Sequence, residues 1–290
     1  MNKRAKLTMA SAMTIFGTVG IFRRYIPLSS SLVSFVRGLI GTLILILFVL
    51  LSKKKLSKEA VKSNLIKLLV SGALIGLNWV CLFESYNYTT VATATLCYYM
   101  APIFVMIASF FIFKNKVTVK KIVTICVALL GMMLVSGILS DGTGGKEGIK
   151  GIIYGLLAAL MYATVIIINK KMSPIDAYSK TIVQLGAATV VLFPYLLFTK
   201  AFTGITLNAT TLLLLLCVGI LHTGIAYAMY FGSMDGLSAD SIALFSYIDP
   251  VVAIILSALL LKEPMGLLKI IGAVLILGAT AFNELTSEKG

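Results

Sequence analysis

Long apolar runs separated by short polar segments recur ten times along the chain, at about residues 6–22, 30–51, 66–86, 91–113, 119–139, 149–169, 178–198, 211–232, 238–261 and 267–283. A helix of about 20 apolar residues spans the hydrocarbon core of a bilayer. A barrel strand would instead show about ten residues of alternating polarity, and these runs do not alternate. With no water to satisfy an open backbone, helices are the form that such runs can take in lipid. The pattern therefore predicts an all-α integral membrane protein with ten transmembrane helices, and no connection between runs is long enough for a soluble domain. The N-terminal run, charged and then apolar, has the look of a signal peptide, but nine more runs follow and no good cleavage site ends it, so it is read as the first span.

Composition agrees: of 290 residues, 59% are hydrophobic and 12% charged, with a mean hydropathy of +1.01. Soluble domains carry about 25% charged residues. The net charge of +14 raises nucleic acid as a partner, but the basic residues are distributed as membrane orientation requires. Alternating the ten spans from a cytoplasmic N terminus places 17 of the 25 basic residues on the inner side, among them Lys53, Lys54, Lys55, Lys114, Lys116, Lys170 and Lys171. Seven fall outside and Arg37 lies within a span. This is the positive-inside bias, with both termini cytoplasmic in a cell (inner) membrane. No loop interleaves aromatics with lysines as a strand-binding surface would, so no nucleic-acid partner is expected. The four cysteines, Cys81, Cys97, Cys126 and Cys217, all lie in spans without CxxC spacing, so neither a metal nor a cofactor is expected.

The chain also repeats itself. Setting Pro102 over Pro250, an offset of 148 residues, aligns TLCYYMAPIFVMIASFFIFKNKVTVKKIV with ALFSYIDPVVAIILSALLLKEPMGLLKII without a gap. Tyr99 meets Tyr247, Ser109 meets Ser257, Lys114 meets Lys262 and Lys121 meets Lys269; upstream, Gly76 meets Gly224. Five spans in each half is an odd number, so the second half enters the membrane from the opposite side. Two inverted five-helix repeats, over 1–140 and 149–284, are the architecture of many secondary transporters, with a site at the midplane between the halves. The Gly-rich segment SDGTGGKEGIKG at 140–151 is read as the hinge connecting them.

These residues resemble the EamA-type transporters of the drug/metabolite transporter superfamily. The resemblance covers nearly the whole chain, in both halves. Asp249-Pro250 stands where such proteins often have Glu-Pro, and Arg37, in SLVSFVRGLIG, matches an arginine commonly seen early in their second helix. The chain departs from the family pattern where Lys262-Glu263 replaces Gly-Glu and Lys114-Asn115 removes the acid altogether. The resemblance further implies that the third and fourth helices, with the eighth and ninth, line a central cavity.

An ionisable group at bilayer depth costs about 2.5–3.5 kcal/mol on insertion scales, so each one needs an account. Asp249 has Ala101 as its mate in the first repeat, so the charge is asymmetric. Pro250 leaves the Ser246 carbonyl without its helical donor, and open backbone at that depth must be buried in protein or face a wet cavity. Asp249 then binds a proton, a cationic group of the substrate or Arg37, or caps the kink. Arg37 either snorkels to the surface or attracts anionic substrates. Glu84, near the end of its helix, is read as a rim residue. His222, the sole histidine, serves as a pH switch or as an interhelical hydrogen-bonding group. Trp79, Phe83 and Tyr86 share a helix face, as do Tyr227 and Tyr230, while Tyr98 and Tyr99 precede Pro102, and Phe245 and Tyr247 precede Pro250. Together these rings would wall an aromatic chamber with few charges, suited to amino acids or amphipathic metabolites and ill suited to phosphorylated sugars. Some of them instead pack between helices or at the headgroup belt. Paired glycines, including Gly17 and Gly20, Gly38 and Gly41, Gly72 and Gly76, and Gly272 and Gly278, are read as close helix approaches.

No catalytic group is expected. GTGGKEG at 142–148 lacks P-loop spacing, one histidine cannot make HExxH, and no GxSxG context accompanies His222. The reading is a secondary transporter, an exporter of small metabolites working by alternating access and proton-coupled through Asp249 or Arg37. A channel, a lipid scramblase and an intramembrane hydrolase are the alternatives. Its partners would be a small-molecule substrate and membrane lipids. Single cysteines placed at positions 116 and 264 are expected to react with an impermeant maleimide from opposite faces of the membrane; labelling of both from one face would exclude the inverted arrangement.

Overall fold

The computed structural model describes residues 3–113, 118–136, 145–203, 205, 207–234, 236–237 and 239–287. Every regular element among them is helical. In chain order they are α1 Lys3–Arg24, α2 Ser30–Leu51, α3 Lys58–Ser63, α4 Leu65–Tyr88, α5 Val91–Tyr98, α6 Ala101–Ile112 and α7 Val119–Ser136. There follow α8 Gly145–Lys170, α9 Ala177–Phe198, α10 Ala209–Gly219, a π turn Ile220–Ile225, α11 Ala226–Met234, α12 Ala239–Ser246, α13 Ile248–Leu260 and α14 Leu267–Ser287.

Among the described residues, eight helical stretches are long and apolar enough to cross a membrane, counting Val91–Ile112 and Ala209–Met234 as continuous, and two apolar stretches, Leu244–Leu260 and Leu267–Asn283, are shorter. The expected single helices over 91–113 and 238–261 are each broken in two, at Tyr99–Met100 and at Tyr247. Both breaks come just ahead of a proline, which lacks the amide hydrogen that would continue the preceding helix and crowds the residue before it. The run at 211–232 bulges into the π turn, and the short α3 was not signalled by the apolar pattern. Position 116 and residues 140–144 of the expected hinge lie outside the described residues, and α8 already begins at Gly145, inside the segment read as loop.

Most helix packing joins the first part of the chain to the last. α4 lies against α8 and α9, α2 against α9 and the π turn, α1 against α11 and α13, and α7 against α14. At the crossing of α7 and α14, a Cβ on Gly131 would lie 2.8 Å from the Gly272 carbonyl, and one on Gly272 would lie 2.6 Å from the Gly131 carbonyl. Only glycine permits that approach, since dispersion between closely packed backbones replaces the hydrophobic effect in lipid. The expectation for Gly278 fails, since its Cβ position faces open space.

Polar contacts sort the turns into two ends. At one end Glu263, after α13, accepts from the Val91 amide (2.8 Å) and from the Ser257 hydroxyl, and lies 4.0 Å from Arg24 at the end of α1. Arg24 in turn donates to the Tyr86 carbonyl, and Ser85 to that of Gly151 (2.6 Å). At the opposite end the Ser57 amide donates to Ser179 (3.0 Å), while Lys54 covers the Tyr178 ring at 4.3 Å. Lys262 occupies the left-handed region (φ 53°), and the Glu263 amide folds back to the Ser257 carbonyl at 3.2 Å. That is the position where glycine is least strained, which explains physically why a Gly-Glu pair suits this turn and what its replacement by Lys-Glu costs.

Asn64, 1% exposed, ties the second end together. Its Nδ2 donates to the Ser173 carbonyl (3.2 Å) and its Oδ1 accepts from the Ser173 amide (3.0 Å). Asn64→Ala should strand both backbone groups and lower stability by about 1–3 kcal/mol, read as a lower melting temperature of the purified protein in detergent. An unchanged melting temperature would show that Ser173 finds other partners.

Candidate functional site

Where the two broken helices meet α1, α2, α4, α8 and α11, the bundle encloses a cavity of about 340 Å³. Both breaks contribute equivalent positions to its wall: Tyr98 and Ser246, Tyr99 and Tyr247, and Ala101 and Asp249 are each 148 residues apart. Breaking a helix frees the side chains and carbonyls on either side of the gap. It also lets two non-helical corners approach one another.

The freed carbonyl that Pro250 creates is answered from the other break. The Tyr99 hydroxyl lies 3.3 Å from the Ser246 carbonyl and 3.1 Å from Asp249 Oδ2, so its one hydrogen is shared between them. Asp249 itself stands in the first turn of α13, where the helix dipole favours a negative charge. No ion pair joins it to Arg37 within 4 Å among the described residues.

Arg37 does not snorkel. It is 5% exposed, its Nε donates to Thr223 Oγ1 (2.9 Å), and its guanidinium lies 4.2 Å from the Trp79 ring and 5.4 Å from that of Phe83. An arginine stacked on indole has an electrostatic partner in the ring face. Arg37 and Asp249 therefore face one cavity without neutralising each other directly.

Aromatic rings make up much of the remaining wall. Phe16 meets Tyr227 edge-on at 5.2 Å, and Tyr98 packs with Tyr162 at 5.4 Å. Of the rings singled out from sequence, Trp79, Tyr86, Tyr98, Tyr99, Tyr227, Tyr230 and Tyr247 are in the wall, as is Pro102. Phe83, His222 and Phe245 are not, and Pro250 is buried outside it. Phe83 is turned between Arg37 and Arg23 (5.9 Å). His222 is fully buried; its Nε2 lies 2.8 Å from Thr18 Oγ1, its Nδ1 3.2 Å from the Cys217 carbonyl, and its ring meets Phe22 edge-on. Glu84, read as a rim residue, accepts from Ser30 (2.6 Å) and Asn87 (3.1 Å) beside a second, polar pocket at the helix ends.

Sequence reasoning missed Phe16, Asn78, Thr95 and Tyr162 in the wall. Asn78, a polar group deep in an apolar run, carried a signal that could have been weighed. It is 1% exposed and donates to the Ala158 carbonyl at 2.5 Å, which ties α4 to α8. Tyr162 and Phe16 carried none, since their places depend on how α8 and α1 rotate against the breaks.

Comparison with other proteins agrees with this architecture. A family model described as the EamA-like transporter family matches residues 3–137 and again 149–284. The "Uncharacterized transporter YxxF" of Bacillus subtilis (strain 168) is 32% identical over 279 residues, which cover 96% of this chain and 89% of that protein. A protein of Salmonella typhimurium, named a "Probable amino-acid metabolite efflux pump", is 27% identical over 201 residues, 66% of each chain. One solved crystal structure superposes with a TM-score of 0.66 over 99% of both chains at 17% identity, a likeness of fold. The apolar helices, the doubled family match and the transporter relatives converge: the chain is a multi-pass membrane protein that belongs to the EamA-like transporter family, a transporter and not an enzyme.

Proposed function

We propose that this protein is a secondary exporter of small zwitterionic metabolites, amino acids foremost. It would work across the cytoplasmic membrane by alternating access between two inverted repeats of five spans, with both termini inside. The observation that carries the reading is the pair of opposite charges, Arg37 and Asp249, left unpaired with each other on one tyrosine-walled cavity. An amino acid supplies the missing partner of each, its carboxylate for the guanidinium and its ammonium for the carboxylate. The cavity volume of about 340 Å³ suits one small molecule. A single cavity cation is too little for a phosphorylated sugar. The efflux relative supports an amino-acid class of cargo.

Asp249 would also be the coupling group. A carboxyl that alternately binds substrate ammonium and a proton links one flux to the other, and the Tyr99 hydroxyl can hold it in place in either state.

In proteoliposomes preloaded with each of the twenty amino acids, uptake of the labelled counterpart should accelerate for at least one of them. A channel, a scramblase or a hydrolase gives no such counterflow. Asp249→Asn should abolish accumulation driven by a proton gradient and leave exchange measurable; coupling that survives the substitution would remove Asp249 from that role. Trp79 is the only tryptophan, so its emission should shift when the counterflow substrate is added to the detergent-solubilised protein. No shift, in a protein that performs counterflow, would place the substrate elsewhere.

A further inference from the structure

The π turn at Ile220–Ile225 lies behind the cavity wall, and it solves a problem of hydrogen bonds. A π turn shifts the amide partner from the fourth to the fifth residue, which disturbs the carbonyls just before it. Two of those carbonyls receive side chains from five residues on. The Cys217 carbonyl faces His222 Nδ1 at 3.2 Å, and the Val218 carbonyl accepts from Thr223 Oγ1 at 3.1 Å. The same two side chains then reach outward, His222 to Thr18 on α1 and Thr223 to Arg37 on α2.

The direction of the second chain is fixed by counting hydrogens. Arginine donates and never accepts, so Thr223 Oγ1 takes the Arg37 Nε hydrogen and gives its own to the Val218 carbonyl. The guanidinium is thus held at one edge by Thr223 and on its face by Trp79. Its two terminal nitrogens have no hydrogen-bond partner among the described residues, and neither is among the buried unpartnered atoms, so both are open to the cavity that Arg37 lines. A planar fork held at its inner edge presents its outer edge to a carboxylate, for a bidentate contact.

We propose that Thr223, presented by the π turn, is a positioning residue that sets the carboxylate specificity of the site by aiming Arg37. This rests on the reading of Arg37 as the carboxylate partner. Thr223 is absent from the cavity wall and fully buried, so it acts through Arg37 and not by touching cargo. Its methyl packs where Gly41 leaves room on α2, which fixes the distance between the π turn and the helix carrying Arg37. An α-helical path here would rotate each following side chain by about 100° and break the alignment.

The test uses the amino acid that gives the strongest counterflow, together with its carboxamide as a competitor lacking the charge. Thr223→Val keeps the shape and deletes the hydroxyl. It should raise the half-saturation concentration of the amino acid about tenfold, in line with loss of a hydrogen bond to a charged group. The maximal rate and inhibition by the carboxamide should stay within about twofold, and Thr223→Ser should restore the parent value. Should the valine variant fail to fold, Thr223→Ala carries the same prediction. Equal weakening of amino acid and carboxamide, or no weakening, would overturn the inference. Arg37→Gln separates the two claims. If it leaves the amino acid's half-saturation unchanged, the carboxylate reading itself fails; if it raises that value while Thr223→Val does not, only the positioning role fails. Absence of counterflow for every amino acid overturns both.

Discussion

A backbone carbonyl that loses its helical donor at bilayer depth must find another, because no water is there to replace it. That constraint accounts for the least regular parts of this molecule. Pro250 removes the donor for Ser246, and the Tyr99 hydroxyl comes from the other broken helix to meet it. The π turn disturbs Cys217 and Val218, and His222 and Thr223 turn back to them. Asn78 and Ser85 add ties of another kind, from α4 to carbonyls inside the continuous helix α8. Directly or through a second contact, each of these groups links elements that are distant in sequence. The polar contacts that hold the bundle together are thus the ones that make its cavity possible.

The same constraint limits what the cavity can contain. Charged groups there survive because each has a protein anchor that does not neutralise it: indole and threonine for Arg37, a phenol and a helix N-terminus for Asp249. A direct ion pair would have satisfied both and left neither charge open to the cavity. Leaving them apart is costly in lipid, and that cost is borne by packing elsewhere, as where α7 crosses α14 at paired glycines.

Much of this was legible in the sequence, and the reasons differ from element to element. The apolar runs announced the helices because length and hydropathy decide insertion before any tertiary contact forms. Asp249 and the paired prolines marked the breaks because a carboxylate and a missing amide are both expensive in an apolar run. Arg37 was visible as a charge, but its fate was not: whether it reaches for the surface or stacks on Trp79 depends on the rotation of α2 against α4. His222 drew attention for its chemistry, yet it packs behind the wall and serves backbone. The π turn left no trace in composition, since ILHTGI reads as ordinary helix and one extra residue per turn alters no periodicity over so short a window. Tyr162 and Phe16 face the cavity only because of how their helices rotate in the assembled bundle.

The wall positions Ala101 and Asp249 occupy corresponding corners of the two breaks. In a carrier whose halves trade conformations as it turns from one side to the other, identical halves would make the two orientations equal in energy, and transport would run downhill either way with no preference. On the proposed mechanism, a lone carboxylate on one corner would remove that degeneracy. The two orientations would then differ in how they solvate one charge, and the bias between them would become a property of which ion or cargo occupies that corner at the moment of turning.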